Sequence, residues 1–228
     1  MNSYQEKDKF YVAVDCIIFG FEDGKLKLLV FNRKINPFKN SLSLIGSFVK
    51  IGESVSDASK RILKESTGLK NVYMKELKTY SSVDRDPGFR CVSIAQYALI
   101  RINENIKNTV KENQAAWFDI DTIPKLILDH NLMVSDALKR IEDVARYKPI
   151  GFELLPEKFT IPQLQALYEA IYRKSLDPRN FRKKILSFDV IIKLEEKDKS
   201  GSKKGAYLYK FDRVRYQKLQ ESGYNFEI

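Results

Sequence analysis

Between residues 46 and 69 the chain sets glycines, a glutamate and a helix-forming run at fixed intervals. The stretch reads Gly46-Ser47-Phe48-Val49-Lys50-Ile51-Gly52-Glu53, then seven residues, then Arg61-Ile62-Leu63-Lys64-Glu65-Ser66-Thr67-Gly68-Leu69. Glycine is tolerated where a loop must adopt positive φ, and it commonly closes a helix. The spacing therefore predicts a glycine-flanked loop feeding one helix that ends at Gly68, preceded by a short strand over residues 41–45. Taken singly, Gly52 and Gly68 need only make turns, and Arg61 with Glu65 is the i, i+4 pair of any helix surface.

The flanking sequence supplies strands. Alternation through Phe10, Val12, Val14 and Cys16 and the run from Leu26 to Phe31 predict two strands joined by a hairpin turn at Glu22-Asp23-Gly24-Lys25. Further strands are predicted over 72–81, 91–100 and 116–120, with helices over 123–128 and 135–145. Pro149 disfavours helix at Lys148, which predicts a junction there and divides the chain into domains 1–148 and 149–228. Beyond it the pattern predicts a strand over 152–155, helices over 160–173 and 177–187, and strands 190–194 and 206–211 flanking a hairpin. Strand, helix, turn, helix, hairpin is the order of a winged helix-turn-helix.

Composition excludes several classes. With 43% hydrophobic residues and 26 Phe and Tyr, the 228-residue chain can bury a sizeable core. Cys16 and Cys91 both lie in apolar segments, as reduced thiols of a cytoplasmic protein would. No apolar run approaches the roughly 18 residues needed to span a bilayer, so no membrane partner is expected. A single histidine and two scattered cysteines cannot furnish a zinc site, and no cofactor is implied. Net charge is +10, and it is concentrated: residues 173–218 hold 15 Lys and Arg against 6 Asp and Glu. The anionic partner this suggests belongs to the C-terminal part.

The 46–69 stretch resembles the Nudix box, whose pattern is Gly, five residues, Glu, seven residues, Arg-Glu-apolar-x-Glu-Glu-x-Gly-apolar. The resemblance implies an α+β chain: a Nudix-like α/β/α sandwich followed by the winged helix-turn-helix. In that family the helix carboxylates hold magnesium for pyrophosphate hydrolysis, because hard cations need several oxygen ligands. Here Ile62 and Ser66 stand at two of those positions and Ser47 at the opening glycine, leaving Glu65 and Glu53. No catalytic residues and no metal site are expected, and the pocket is read as reused for sensing.

The second helix of the C-terminal part carries the charge. Asp177-Pro178 supplies an N-cap and a first-turn proline. At 100° per residue, Phe181, Ile185 and Phe188 share one face while Arg179, Arg182 and Lys183 lie opposite, flanked by Asn180 and Lys184. Arginine and lysine reach guanine edges or phosphates and asparagine pairs with adenine, so this is a candidate recognition helix for double-stranded operator DNA. The loop between the last strands would be the wing, with Lys203 and Lys204 against the DNA backbone. A solvated basic face that binds nothing is the plain alternative.

A degenerate Nudix domain followed by a winged helix resembles the Nudix-related transcriptional regulators. Asp84-Arg85-Asp86-Pro87-Gly88, Leu128-Asp129-His130-Asn131, Phe152-Glu153-Leu154-Leu155-Pro156 and the run from Leu176 to Lys184 look like family signatures. The resemblance implies a homodimeric repressor of a palindromic operator, released when a metabolite fills the Nudix pocket. Within the family the sequence looks nearest to the regulators of L-arabinose utilisation, which implies that sugar as effector; ADP-ribose, with control of NAD metabolism, is the alternative, and a residually active hydrolase a further one. The lost carboxylates and glycine are read as favouring a small neutral ligand. The family pocket, carried over by motif, gives Lys50, Glu65, Asp84, Arg85, Asp86 and His130 as effector contacts. Asp84 and Asp86 are also ordinary turn formers, and His130 an ordinary helix-cap residue.

Overall fold

The computed structural model describes residues 9–34, 36–200 and 204–222. Two compact units emerge. The first comprises the described residues up to Phe19 with Leu28–Ala98 and Asn103–Ala137; the second comprises Gly20–Lys27, Leu99–Ile102 and the described residues from Leu138 onward.

A seven-stranded sheet built from β1 (Tyr11–Glu22), β2 (Lys25–Asn32), β3 (Leu42–Ser43), β4 (Ile45–Phe48), β5 (Lys75–Tyr80), β6 (Cys91–Arg101) and β7 (Ala115–Asp119) runs in the order β3-β2-β1-β6-β5, with β4 on β1 and β7 on β2. Residues 13–20 of β1 are buried without a break, so this strand is covered on both faces, as a central strand of an α/β layer must be. The expected alternation fails at its start: Phe10 and Val12 are exposed, because the buried run begins only at Ala13. The hairpin turn between β1 and β2 places Asp23 and Gly24 at φ 51° and 74°, the paired positive values that match the twist of the strands.

Helix α1 (Val55–Thr67) is capped by Ser54, whose side chain accepts from Asp57 N, and is closed by Gly68 at φ 75°. Its Ala58, Ile62 and Leu63 are buried. Helices α2 (Glu104–Glu112) and α3 (His130–Tyr147) complete the N-terminal part, with a short 3₁₀ turn at Ile120–Thr122. The helix expected over 123–128 does not form. Leu126 N donates to Asn131 Oδ1 at 2.9 Å and Ile127 N to Leu42 O at 3.1 Å, so these amides are spent on tertiary partners while Leu126 and Ile127 are buried.

In the C-terminal part, β8 (Phe159–Thr160), α4 (Ile161–Tyr172), α5 (Pro178–Ser187), β9 (Ile191–Asp198), β10 (Ala206–Phe211) and α6 (Arg213–Glu221) form a winged helix with sheet order β8-β10-β9. The capping box is complete at the start of α4: Thr160 Oγ accepts from Gln163 N and the Gln163 side chain accepts from Thr160 N. The strand expected over 152–155 is instead a 3₁₀ turn, Phe152–Leu154. Leu154 N donates to Gly151 O at 2.8 Å and Leu155 N to Phe152 O at 3.3 Å, so these amides close the turn and are not free for a ladder, while Phe152 stacks on Phe211 with ring centroids 4.2 Å apart.

Candidate functional site

The N-terminal part holds a cavity of about 220 Å³. Strand β1 brings Ala13 and Asp15 to it, β4 brings Gly46, Ser47 and Phe48, and the loop before β6 brings Arg85, Asp86 and Phe89. Its polar side is a buried charge network. Arg85 binds Asp129 in a fork, Nε to Oδ2 at 3.0 Å and Nη2 to Oδ1 at 2.9 Å, and its Nη2 stands 3.7 Å from Asp15 Oδ2. Ser93 Oγ donates to Asp15 Oδ2 at 2.5 Å. His130 closes the network, with Nε2 at 3.6 Å from Asp15 Oδ1.

Burial opposes the charge on Arg85, but the hydrogen bonds and charge of Asp129, with Asp15 behind, more than offset it and raise its pKa. Burial is also the chief influence on His130 and lowers its pKa, against the pull of Asp15 and Asp129. The backbone fixes its tautomer: Leu44 N–H donates to Nδ1 at 3.1 Å, so in the neutral ring Nε2 carries the proton and faces Asp15. Burial pushes the Cys91 thiol up, making it a neutral wall of the cavity. At the rim, Phe48 and Phe89 have centroids 6.1 Å apart, and Tyr11 lies 5.1 Å from each.

Of the residues carried over by motif, Arg85, Asp86 and His130 line the cavity, while Lys50, Glu65 and Asp84 do not. Asp86 also makes the expected turn, its Oδ1 accepting from Gly88 N at 2.8 Å. Asp15 and Ser93 carry the polar network without having been singled out, and Asp129 is read from the sequence only as part of a family signature. Asp15 sits in an apolar run, and a lone carboxylate in such a run is the signal that marks it. Arg33 lines the cavity as well, and its Nε donates to Pro37 O at 2.7 Å, tying down the loop that presents Phe38.

The remaining box residues are committed elsewhere. Arg61 grips Glu53 through Nε and Nη2 at 2.5 and 2.9 Å, reaches Glu65 Oε2 at 3.2 Å and donates to Phe48 O at 3.0 Å. The Arg61 hydrogen bonds, then the one from Lys50 N, hold the Glu53 carboxyl down at about 2. Ile62 is buried in the core whereas Glu65 is exposed. Two carboxylates shared by one guanidinium, beside an isoleucine and a serine, are a donor set that does not fit a multi-carboxylate magnesium site. Among the described residues, no group of three or more His, Cys, Asp or Glu side chains is placed to hold a metal.

The second site is α5. Asp177 accepts from Asn180 N and caps it; Phe181, Ile185 and the following Phe188 are buried; Arg179, Asn180, Arg182, Lys183 and Lys184 are all exposed. Lys204 is exposed in the loop before β10, and Lys203 lies outside the described residues. Sequence reasoning missed the strand face beside this loop, where Lys193 and Lys197 of β9 set their Nζ atoms 3.7 and 4.5 Å from the Tyr207 ring centroid. Among the described residues, no helix is long and apolar enough to cross a membrane.

Residues 9–137 match the NUDIX domain family model. The chain belongs to the NUDIX domain family. Residues 151–211 match the model of the NrtR DNA-binding winged helix domain. The Nudix chain is similar to the ADPR responsive transcriptional repressor NtrR of Acinetobacter baylyi, 29% identical over 98% of this chain and 89% of the relative. It is also similar to an ADP-ribose pyrophosphatase of Methanocaldococcus jannaschii, 39% identical over 56% of this chain and 73% of the relative. Among solved structures, Shewanella oneidensis NrtR complexed with a 27-mer DNA superposes with a TM-score of 0.75 at 25% identity, over 94% of this chain and 97% of that one. A Nudix domain joined to an NrtR-type winged helix makes this chain a Nudix-related transcriptional regulator. The expectation of L-arabinose as effector, and of carbohydrate metabolism with it, is corrected by the whole-chain relative, a repressor responsive to ADPR. The inference toward a small neutral ligand erred because losing magnesium carboxylates bears on turnover and leaves the ligand that a pocket takes undetermined.

Proposed function

We propose that this chain is an ADP-ribose-responsive transcriptional repressor acting in the cytoplasm. The observation that carries the reading is likeness along nearly the whole chain, both domains in order, to a repressor of that kind. The winged-helix domain, 149–228, takes operator DNA, with α5 in the major groove and Arg179, Asn180, Arg182, Lys183 and Lys184 toward it; Lys203 and Lys204 of the wing meet the backbone. The effector occupies the cavity of the Nudix domain, 1–148, with Arg85, Asp86 and His130 among its contacts. Two copies pair, so that the two recognition helices meet the half-sites of a palindrome about one helical turn apart.

In this reading the effector is bound without being hydrolysed. Ile62 and Ser66 supply no carboxylate, and Arg61 occupies Glu53 and Glu65. A residual hydrolase is the second reading, favoured by the 39% identity to an ADP-ribose pyrophosphatase. One experiment addresses both: a mobility-shift titration on promoter DNA from the chain's own chromosomal neighbourhood, at fixed salt, with and without ADP-ribose, alongside a magnesium-dependent assay for the AMP and ribose 5-phosphate that cleavage of the pyrophosphate would yield. The expected outcome is a shift that ADP-ribose abolishes and no turnover. A shift unchanged by saturating ADP-ribose would refute the regulator reading, and magnesium-dependent turnover would establish the hydrolase.

A further inference from the structure

The polar groups of the cavity lie at its buried side and the aromatic ones at its mouth. Asp15 and His130 are 6% and 3% exposed, whereas Phe38, Phe48 and Phe89 are 37–45% exposed. The part of a ligand that enters first therefore meets hydrogen-bonding groups, with no ring to stack on.

Those groups are held in place and incompletely used. Asp15 Oδ2 accepts from Ser93 and faces Arg85, while Arg85 is itself locked by the Asp129 fork. Asp15 Oδ1 has His130 Nε2 at 3.6 Å, beyond hydrogen-bond reach, and Gly46 at its back, where a Cβ would overlap it. Both residues stand on the cavity wall, so an acceptor and a donor side by side, neither bonded to the other, offer two adjacent positions to one guest group. A ligand hydroxyl answers both, donating to the carboxylate and accepting from the N–H, as the water it displaces would. A phosphate oxygen cannot, because it has no proton to give Asp15 and would bring a like charge beside it.

We propose that Asp15 and His130 together take a hydroxyl of the ligand's terminal pentose, so that the buried end of the cavity selects a nucleoside-diphosphate pentose over the bare nucleoside diphosphate. The assignment rests on the ADP-ribose reading of this same cavity and adds to it which end goes in and which residues discriminate. Neutral His130 suits the role, since its single N–H must point at the hydroxyl oxygen. Asp15 is a specificity-determining residue in this account.

Calorimetric titration of the full chain with ADP-ribose, with its analogue lacking the terminal-ring hydroxyls, and with ADP tests it. The wild-type chain is expected to bind ADP-ribose about 10- to 100-fold more tightly than either analogue, the span that hydrogen bonds to a charged group supply. In Asp15→Asn that preference should collapse toward equality, with affinity for ADP little changed. The analogue series on the wild-type chain stands even if Asp15→Asn does not fold. Equal binding of all three by the wild-type chain, or an undiminished preference in a folded Asp15→Asn, would overturn the assignment while leaving the ADP-ribose reading intact. Failure of the wild-type chain to bind ADP-ribose at all would overturn both.

Discussion

Gly46 lies opposite Asp15 in the β1–β4 register, and a Cβ there would overlap Asp15 Oδ1 and stand 3.1 Å from the Val14 carbonyl oxygen. Its role is therefore space for a buried carboxylate, more than backbone freedom. Gly46→Ala is expected to destabilise the fold by roughly 1–3 kcal/mol, as overpacking does, measured by urea denaturation. His130 sets a pH dependence. Its folded pKa lies below 6.5, so the unfolded chain takes up a proton first; the stability it adds is full above about 6.5 and is lost as pH falls through the folded value. The urea midpoint should drop between roughly pH 7 and pH 5, and His130→Gln should flatten part of that slope. Tyr168 works the other way: its hydroxyl is fully buried with no hydrogen-bond partner among the described residues. Tyr168→Phe should leave stability unchanged or raise it by up to about 1 kcal/mol, and a loss above that in the same measurement would mean the hydroxyl is satisfied by something else, such as a buried water.

At the scale of elements, legibility followed how much of each signal was local. The Asp177 cap and the divided face of α5 depend on residues within a turn or two, and α1, α4 and α5 form where the spacing places them. Helix α6 has no buried residue, hence no apolar stripe to reveal it, only its Asp212 cap. Helix α2 buries Val110 alone and begins at Asn103, a cap that could have been read. The apolar run 123–128 misled because its amides bond Asn131 and Leu42, and no periodicity announces a partner some 80 residues away. The candidate cavity divides the same way: Arg85, Asp86 and His130 stand in recognisable local motifs, whereas Asp15 and Ser93 meet only because β1 and β6 are neighbours in the sheet. For α5, Arg182→Ala is expected to cost about 1–3 kcal/mol of operator affinity and relax preference at one base pair, while Lys193→Ala with Lys197→Ala should weaken every sequence alike and reduce the salt slope. Competitive anisotropy titrations across several salt concentrations separate the two, and identical, sequence-independent losses would deny Arg182 a reading role.

Across the whole molecule, charge and chemistry are divided between the two ends of the chain. The segment 173–218 carries nearly all of the net +10, so the rest is close to neutral, and long-range attraction to DNA resides in the winged-helix part. In the proposed function, an effector bound in the Nudix part releases DNA by favouring a state of the chain that holds DNA less well. Such coupling is reciprocal. If ADP-ribose weakens operator binding by about 5- to 150-fold, corresponding to roughly 1–3 kcal/mol, operator DNA must weaken ADP-ribose binding by the same factor. Titrating ADP-ribose into the chain alone and into the chain saturated with operator should give dissociation constants in that ratio. A nonspecific duplex should give a smaller ratio, since its contacts are mostly with the backbone and discriminate less between the two states. Equal effector affinities with and without operator would mean that the two domains act independently, whatever each binds.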